Sequence, residues 1–166
     1  LSEKQLSTPN LWLRKSIRSR RGEDITFART GKETAGFYYQ RFISARAYEV
    51  RIAAFRWLGM ERWGYFKRVG DPNTIAWNFH QGGMFINLRN QLPFPIRLCT
   101  EMVNILLAEL HMGFGAFDFI VDRQNQIYFL EVNSAPGFTD FSKELYVHAF
   151  ADLRNLTHGE FRRLAE

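Results

Sequence analysis

The chain reads GAFDFIVD from Gly115 to Asp122 and QIYFLEVNSAPGF from Gln126 to Phe138. Both segments are rich in β-branched and aromatic residues, and the polar residues between them favour a turn, so the pattern predicts two antiparallel strands. Three polar side chains, Asp118, Glu131 and Asn133, stand within these apolar runs. A carboxylate seldom occurs in such surroundings unless a partner compensates its lost hydration.

The spacing indicates which of these side chains lie together. Side chains alternate in direction along a strand, so Glu131 and Asn133 share one face. A two-residue loop at Gln124–Asn125 would place Asp118 directly opposite Glu131, with Cβ atoms about 5 Å apart. Two facing carboxylates repel each other unless a cation lies between them, and Mg²⁺ takes oxygen ligands and often accompanies phosphate. The spacing therefore predicts a metal site, and the alternative is a half-buried hairpin whose polar face meets water.

Composition limits the class of protein. The 166 residues, 46% hydrophobic and with sixteen Phe, suit one folded domain or two small lobes. No apolar run reaches the roughly 18 residues of a transmembrane helix, and no signal-peptide pattern precedes the first strand. Cys99 is the only cysteine, and its place in an apolar helical pattern favours a buried thiol over a nucleophile. We expect a soluble, cytoplasmic protein, and a processed product or fragment because the sequence begins at Leu1.

The remaining pattern predicts an α+β fold. Helical spacing of Leu98, Met102, Ile105, Leu106 and Leu110 predicts a helix from Ile96 to Met112, and a second amphipathic helix begins near Lys143. The other predicted strands are Leu11–Leu13, Ile25–Ala28, Gly36–Ile43, Tyr48–Trp57 and Met60–Val69, the last two joined by a tight turn at Leu58–Gly59.

Basic residues are the other notable feature of a chain with net charge +5. A cluster near the N-terminus could face nucleic acid or nucleotide phosphates, or simply be solvated. Arg51 shares a strand face with Glu49, which is typical of an ion pair on a solvated face or of an anion ligand. Lys67 and Arg68 are interpreted as solvated surface residues. The cluster consists of Arg14, Lys15, Arg18, Arg20 and Arg21.

One loop combines glycine with polar side chains. It reads NFHQGG from Asn78 to Gly83, and its paired glycines allow the backbone to approach a ligand closely. Asn78 can both donate and accept hydrogen bonds, whereas His80 alone is weak evidence of catalysis. A loop that merely turns remains the alternative.

In their order along the chain, these motifs resemble the ATP-grasp superfamily, especially the carboxylate–amine ligase branch that adds glutamate to ribosomal protein tails. The likeness covers residues from about Leu11 to Ala149 and is most specific in its last motif. The matching elements are Lys15 with its basic loop, YQRFI at Tyr39–Ile43, EVR at Glu49–Arg51, NFHQGG at Asn78–Gly83, Asp118, and EVNSAPG at Glu131–Gly137.

The resemblance implies an ATP-grasp fold with two parts. Residues 1–43 would form part of the small ATP-binding lobe with the basic loop. Residues 44–166 would form the large lobe, whose antiparallel sheet and helices carry the metal site. Family enzymes also have an N-terminal lobe and an earlier phosphate-side lysine, which this sequence lacks. We therefore expect a catalytic portion without that lobe.

The resemblance also implies roles for individual residues. Lys15 looks like the lysine that reaches the nucleotide phosphates, and Arg41 and Phe42 stand where the hinge backbone holds adenine. Glu49 looks like the acidic residue near the ribose. Two residues are expected to act in catalysis as well as in nucleotide binding: Arg51, on the phosphate side, and Asn78, at the phosphate end. The expected metal ligands are Asp118, Glu131, which could bridge two ions, and Asn133.

The implied activity is an ATP-dependent ligation of a carboxylate to an amine through an acyl phosphate. The implied cofactors are ATP and one or two Mg²⁺ ions, with Mn²⁺ as a substitute. The partners would be a small-molecule or peptide carboxylate and an amine acceptor, with no membrane; the oligomeric state is left open. Two other hypotheses are a nucleotide-binding module without ligase activity and a nucleic-acid-binding protein. Ala76 stands where the glutamate-ligase branch has an arginine, which weakens the assignment of the same acceptor substrate. The loop Ser16–Gly22 is basic where many relatives are glycine-rich, and its arginines could compensate for missing phosphate contacts or bind an acidic partner.

Overall fold

The computed structural model describes residues 11–18, 24–28, 34–71, 74–75, 77, 83–88, 92–137 and 140–165. Eight strands and three α-helices are assigned in these ranges, and none of these helices is long and apolar enough to cross a membrane. The strands are β1 (Trp12–Ser16), β2 (Ile25–Ala28), β3 (Phe37–Arg41), β4 (Arg46–Phe55), β5 (Gly64–Val69), β6 (Met84–Asn87), β7 (Phe114–Asp122) and β8 (Ile127–Asn133). The helices are α1 (Phe94–Glu109), α2 (Asp140–Arg154) and α3 (His158–Ala165), and a 3₁₀ turn spans Met60–Arg62.

The first three strands form a small antiparallel sheet in the order β2-β1-β3. Burial alternates along β1, with Leu13 and Lys15 buried, as expected of a strand with one covered face. The rings of Phe27 and Phe42 meet edge to face with centroids 5.1 Å apart, which packs the end of β3 against β2. A buried lysine on this sheet is the first sign that its covered face is not purely structural.

The other five strands form a large antiparallel sheet in the order β6-β5-β4-β7-β8. Its central strands, β4 and β7, are buried almost throughout because helices lie on both faces. Helix α1 lies near Tyr48 and Lys67 on one face. Helix α2 covers the other face, where Trp57 Nε1 donates to the Ala149 carbonyl at 2.8 Å. The chain passes from the small sheet to the large sheet between β3 and β4, which is where the boundary between the lobes was predicted. The division into two lobes stays a prediction.

Helix α1 was predicted correctly in place, but the spacing that predicted it does not mark the buried face. Ile96, Cys99, Val103 and Leu107 are the residues of α1 that enter the core, whereas Met102 and Ile105 are exposed. Helix α1 has apolar residues on more than one face. The face that becomes buried is the one whose side chains pack between the side chains of the sheet. Burial raises the pKa of the Cys99 thiol to about 12, which agrees with the expected structural cysteine.

The β7–β8 hairpin has the predicted pairing of Asp118 with Glu131, but the predicted loop is wrong. The N–H of Asp122 donates to the carbonyl of Gln126 at 3.0 Å, so three residues (123–125) lie between this bonded pair instead of the predicted two, and Asn125 adopts a positive φ of 61°. A β-bulge beside Asp118 then shifts the register by one residue, because Phe119 pairs with Phe129. The bulge offsets the longer loop, and the two carboxylates still face each other.

Candidate functional site

A row of polar side chains crosses the large sheet on the face covered by α2. Arg51 of β4 pairs with Asp118 of β7, and Asp118 pairs with Glu131 of β8. Directly cross-strand residues lie on the same face, so these three side chains are neighbours. The next row on the same face contains Glu49 of β4 opposite Arg68 of β5. The sheet therefore brings together residues that are up to 82 positions apart in the sequence.

Asp118 lies between two guanidinium groups. Its carboxylate is 2% exposed and accepts hydrogen bonds from Arg51 Nε at 2.8 Å and Nη2 at 2.7 Å, and from Arg68 Nη2 at 3.1 Å. Burial raises the pKa of Asp118, but Arg51 and Arg68 outweigh burial and hold it below the usual range. The apolar sequence around Asp118 indicated that its carboxylate needs a compensating partner. In this structure that partner is a pair of arginines.

Glu49 is the second buried carboxylate of the site. It is 2% exposed, and its oxygens accept from Arg46 Nη1 at 2.7 Å and Arg68 Nη1 at 2.8 Å. Burial is the main cause of the raised pKa of Glu49, although both arginines oppose it. The alternative of a solvated Glu49–Arg51 pair is wrong, because each residue has its own buried partner. The ribose role of Glu49 stays a prediction.

Arg68 and Arg46 are the residues that sequence reasoning missed. Arg68 was interpreted as solvated, but it is 5% exposed and links the two carboxylates. Arg46 also donates to the carbonyls of Thr74 and Ile75, at 2.9 and 3.1 Å, and its guanidinium carbon lies 3.7 Å from the Trp77 ring centroid. The sequence held one signal for Arg68. In a hairpin centred on Leu58–Gly59, Glu49 and Arg68 are equally far from the turn and therefore pair.

The small sheet faces the Glu131 end of this row. Lys15 is 7% exposed, and burial lowers its pKa while Glu131 and Glu49 oppose that shift. Burial and Glu131 both raise the pKa of Tyr38, which lies on the neighbouring strand. Gln40 Nε2 donates to the carbonyl of Leu130, the extra residue of the bulge, at 3.5 Å. These contacts place Lys15 of the small sheet in the field of the carboxylates of the large sheet.

The other predicted residues are placed as follows. Asn133 is exposed, and its Oδ1 accepts the Ala135 N–H at 2.9 Å. Arg41 is exposed at the end of β3, and the Phe42 N–H donates to the Leu11 carbonyl at 2.8 Å, so an adenine contact by Phe42 would use its carbonyl. Asn78 lies outside the described residues. The role assigned to each stays a prediction.

The side chains present fit a magnesium nucleotide. The described cluster contains four cations and three carboxylates, an excess of positive charge that suits a polyphosphate. Glu131 and Asn133 are exposed oxygen donors on the face that holds Asp118. No group of three His, Cys, Asp or Glu side chains suited to a metal occurs in the described ranges. Two carboxylates and an amide suffice for Mg²⁺, because it commonly completes its shell with water and substrate phosphates.

Known proteins share this fold. The RiPP-associated ATP-grasp ligase of Chryseobacterium gregarium, solved with ADP and a leader and core peptide, superimposes with a TM-score of 0.59 and 18% identity over 89% of this chain. The macrocyclase MdnC of Microcystis aeruginosa MRC, bound with precursor peptide MdnA, gives a TM-score of 0.60 and 17% identity over 90% of this chain. This chain spans 49% of each of those two chains.

Sequence comparison finds a likeness to ligases in the C-terminal part of the chain. Residues 100–153 match the family described as D-ala D-ala ligase C-terminus. A D-alanine–D-alanine ligase from Dechloromonas aromatica (strain RCB) is 57% identical over 30 residues, which are 18% of this chain and 10% of that protein. The fold and the sequence together confirm the resemblance to the ATP-grasp superfamily. The chain carries part of an ATP-grasp fold, in a mixed helix and antiparallel-sheet arrangement.

Loss of the Asp118 charge should destabilise the fold. In Asp118→Asn, the buried guanidinium of Arg68 and the partly exposed guanidinium of Arg51 lose their shared counter-charge, and we expect the free energy of unfolding at pH 7 to fall by about 3–5 kcal/mol in urea titrations. Because the pKa of Asp118 is lower in the folded than in the unfolded protein, its stabilisation is complete above the unfolded value and is lost as pH falls through the folded value. The difference between wild type and variant should therefore shrink below pH ~4.

The matched control is Asp24→Asn. Asp24 is exposed and has a positive φ of 54°, which asparagine also adopts readily. An Asp118→Asn variant no less stable than this control at pH 7 would contradict the description of the buried network.

Proposed function

We propose that this protein is an ATP-dependent ligase that joins a carboxylate to an amine through an acyl phosphate. The observation that carries the proposal is the row Arg51–Asp118–Glu131 on an ATP-grasp sheet, with Lys15 facing it from the small sheet. Phosphoryl transfer depends on positioning and charge neutralisation, and this arrangement supplies both. It requires no nucleophilic side chain from the protein.

Each charged residue has a role in this proposal. Lys15 and Arg51 bind the phosphates, and the buried network holds Arg51 rigidly because two of its donors are fixed on Asp118. Asp118, Glu131 and Asn133 hold one or two Mg²⁺ ions. When bound, Mg²⁺ neutralises phosphate charge and orients the terminal phosphoryl group. Asn78 and Glu49 keep their predicted contacts with the phosphate end and the ribose, and the backbone at Arg41 and Phe42 contacts adenine.

A peptide is the proposed source of one reacting group. The two structural neighbours were solved with peptides, one with ADP as well, and they supply the best available guide to the substrate class. Ala76, in place of the arginine expected in the glutamate-ligase branch, argues for an acceptor other than that of the ribosomal-protein enzymes. We therefore propose a peptide carboxylate and an amine as the substrate pair.

A second candidate is a nucleotide-binding module that does not ligate. The chain spans about half the length of the two structural neighbours, so a site for the acceptor can lie in sequence that it does not include. The proposed nucleotide contacts are the same in both candidates. A measurement of nucleotide binding tests the proposed site in either case. Only a measurement of turnover distinguishes the ligase from the binding module.

Neutralising Glu131 should remove the magnesium-dependent part of ATP binding. In Glu131→Gln the exposed carboxylate opposite Asp118 is lost while its shape is kept, and we expect Mg²⁺-ATP affinity to fall about tenfold or more, since one charged oxygen ligand is removed. ATP affinity in EDTA should change little. Isothermal titration calorimetry measures both, and Glu144→Gln on the exposed side of α2 is the control. Equal Mg²⁺-ATP affinity in wild type and Glu131→Gln would remove Glu131 from the site.

An acyl-phosphate intermediate can be detected even when the amine substrate has not been identified. An acyl phosphate reacts with hydroxylamine to give a hydroxamate, so ATP, Mg²⁺ and a set of carboxylate-bearing peptides should yield ATP-dependent hydroxamate and free phosphate with at least one peptide. Arg51→Met should abolish the signal because it removes the phosphate-side cation. Tight Mg²⁺-ATP binding without hydroxamate from any peptide would favour the binding module.

A further inference from the structure

An open groove, which we call the α1 groove, lies on the α1 face of the large sheet beside the first turn of α1. Helix α1 contacts mainly β4 and β7, so the β6 edge of this face is more open, and Met84 and Ile86 of β6 are 65% and 46% exposed. The groove has a volume of about 540 Å³, which is in the range of small-molecule sites. Its lining includes Tyr48, Lys67, Leu88, Leu92, Ile96 and Arg97.

The α1 groove is separate from the proposed nucleotide site. Lys67 pairs with Val50, whose side chain is buried in the core beneath α1, so Lys67 lies on that face of the sheet. Side chains alternate along a strand, and the next residue, Arg68, therefore lies on the opposite face, where it donates to Glu49. Tyr48 and Glu49 alternate in the same way on β4. A ligand in the α1 groove would thus lie on the other side of the sheet from the row of carboxylates.

Three hydrogen-bond donors line the α1 groove. Arg97 is exposed and Lys67 is half-buried, and neither forms an ion pair within the part of the chain that the structure describes. The Lys67 ammonium lies 4.5 Å from the centroid of the Tyr48 ring, a contact that holds it beside the groove. Burial raises the pKa of Tyr48, so its hydroxyl stays protonated at neutral pH and can also donate.

The described lining of the α1 groove contains no negatively charged side chain. The sequence from Met84 to Thr100 has no Asp or Glu. Glu101, one turn further along α1, is exposed and forms no ion pair with Arg97 among the described residues. The positive charge of Lys67 and Arg97 is therefore not compensated by the lining, and it favours the binding of an anion.

Apolar side chains adjoin these donors in the α1 groove. Ile96 is buried, and Leu88 and Leu92 are half-buried. An anion without an apolar part would leave these side chains in contact with water, and an uncharged apolar molecule would leave the two cations unpaired. The lining is thus complementary to a molecule that carries both an anionic group and an apolar body.

We propose that the α1 groove binds a small amphipathic carboxylate, such as a medium-chain fatty acid or an arylalkyl carboxylate. Its carboxylate pairs with Lys67 and Arg97, and its apolar body lies against Leu88, Leu92 and Ile96. A carboxylate carries a single charge at neutral pH, so its transfer next to apolar side chains costs less hydration than the transfer of a phosphate monoester. The inference does not depend on the proposed ligase activity.

Isothermal titration calorimetry with octanoate tests the proposal, with acetate and octanamide as matched ligands. Acetate keeps the charge without the apolar chain, and octanamide keeps the chain without the charge. We expect octanoate to bind at least about tenfold more tightly than either, because only octanoate uses both the cations and the apolar side chains of the groove.

Lys67→Met and Arg97→Met should each weaken octanoate binding about fivefold or more, since each removes one cation and keeps an unbranched apolar side chain. The control is Lys143→Met, which removes an exposed lysine of α2, on the other face of the sheet, and should leave the affinity unchanged. A measurement on the wild-type chain applies if a variant does not fold. The backbone amide resonances of Lys67 and Arg97 should shift when octanoate is added.

The inference is overturned by an absence of octanoate binding, by equal binding of octanamide, by undiminished affinity in both variants, or by unmoved resonances in the wild type. Displacement of octanoate by Mg²⁺-ATP would assign the ligand to the nucleotide site, and would overturn it too. So would tighter binding of a capped Leu-Glu-Leu-Glu peptide, which would assign the groove to a peptide. Wild type that binds octanoate but not Mg²⁺-ATP would overturn the proposed function alone.

Discussion

A carboxylate enclosed by two guanidinium groups organises this protein. Asp118 lies in the middle of the central strand β7, and its charge could not stay there without Arg51 and Arg68. Those arginines come from β4 and β5, so one ionic contact joins the three central strands of the large sheet. Apolar packing on the opposite face, where α1 covers Val50, Ile52 and Phe117, stabilises the same strands. Charge on one face and apolar burial on the other fix one register for the sheet.

The same contact prepares the surface between the two sheets for an anion. Fixed partners hold both arginines, and Lys15 of the small sheet lies close enough to Glu131 and Glu49 for their charges to oppose the lowering of its pKa by burial. Donors that are already oriented need little reorganisation when a phosphate arrives. Glu131 is the exposed carboxylate of this row, and it is therefore the best-placed charged ligand for a metal ion. The buried network and the proposed magnesium site are two parts of one electrostatic arrangement.

Local sequence predicted much of this, and the failures have physical causes. Strand alternation placed Glu131 and Asn133 on one face, and hairpin pairing placed Asp118 opposite Glu131, because short connections fix register. The loop itself was wrong, since the side chain of Asp122 accepts the N–H groups of Gln124 and Gln126 and favours a longer turn. The β-bulge beside Asp118 restores the predicted pairing of Asp118 with Glu131, and no sequence pattern predicts that bulge.

Long-range partners were the hardest to predict. The pairing of β4 with β7, which brings Arg51 to Asp118, crosses more than 60 residues, and no local spacing encodes it. Arg68 was misread because a basic residue near a strand end is usually solvated. The family motifs, taken in order, predict the ligand of the site better than any single residue does, and the structure shows which arginines compensate the buried carboxylate.

A crystal structure of this chain with Mg²⁺ and a non-hydrolysable ATP analogue tests the central claim most directly. The account predicts the triphosphate between the two sheets, with Lys15 and Arg51 on its oxygens and a metal ion about 2.0–2.1 Å from carboxylate oxygens of Asp118 and Glu131. Nucleotide bound away from the Arg51–Asp118–Glu131 row, or bound there with no metal contact to Glu131, would contradict it.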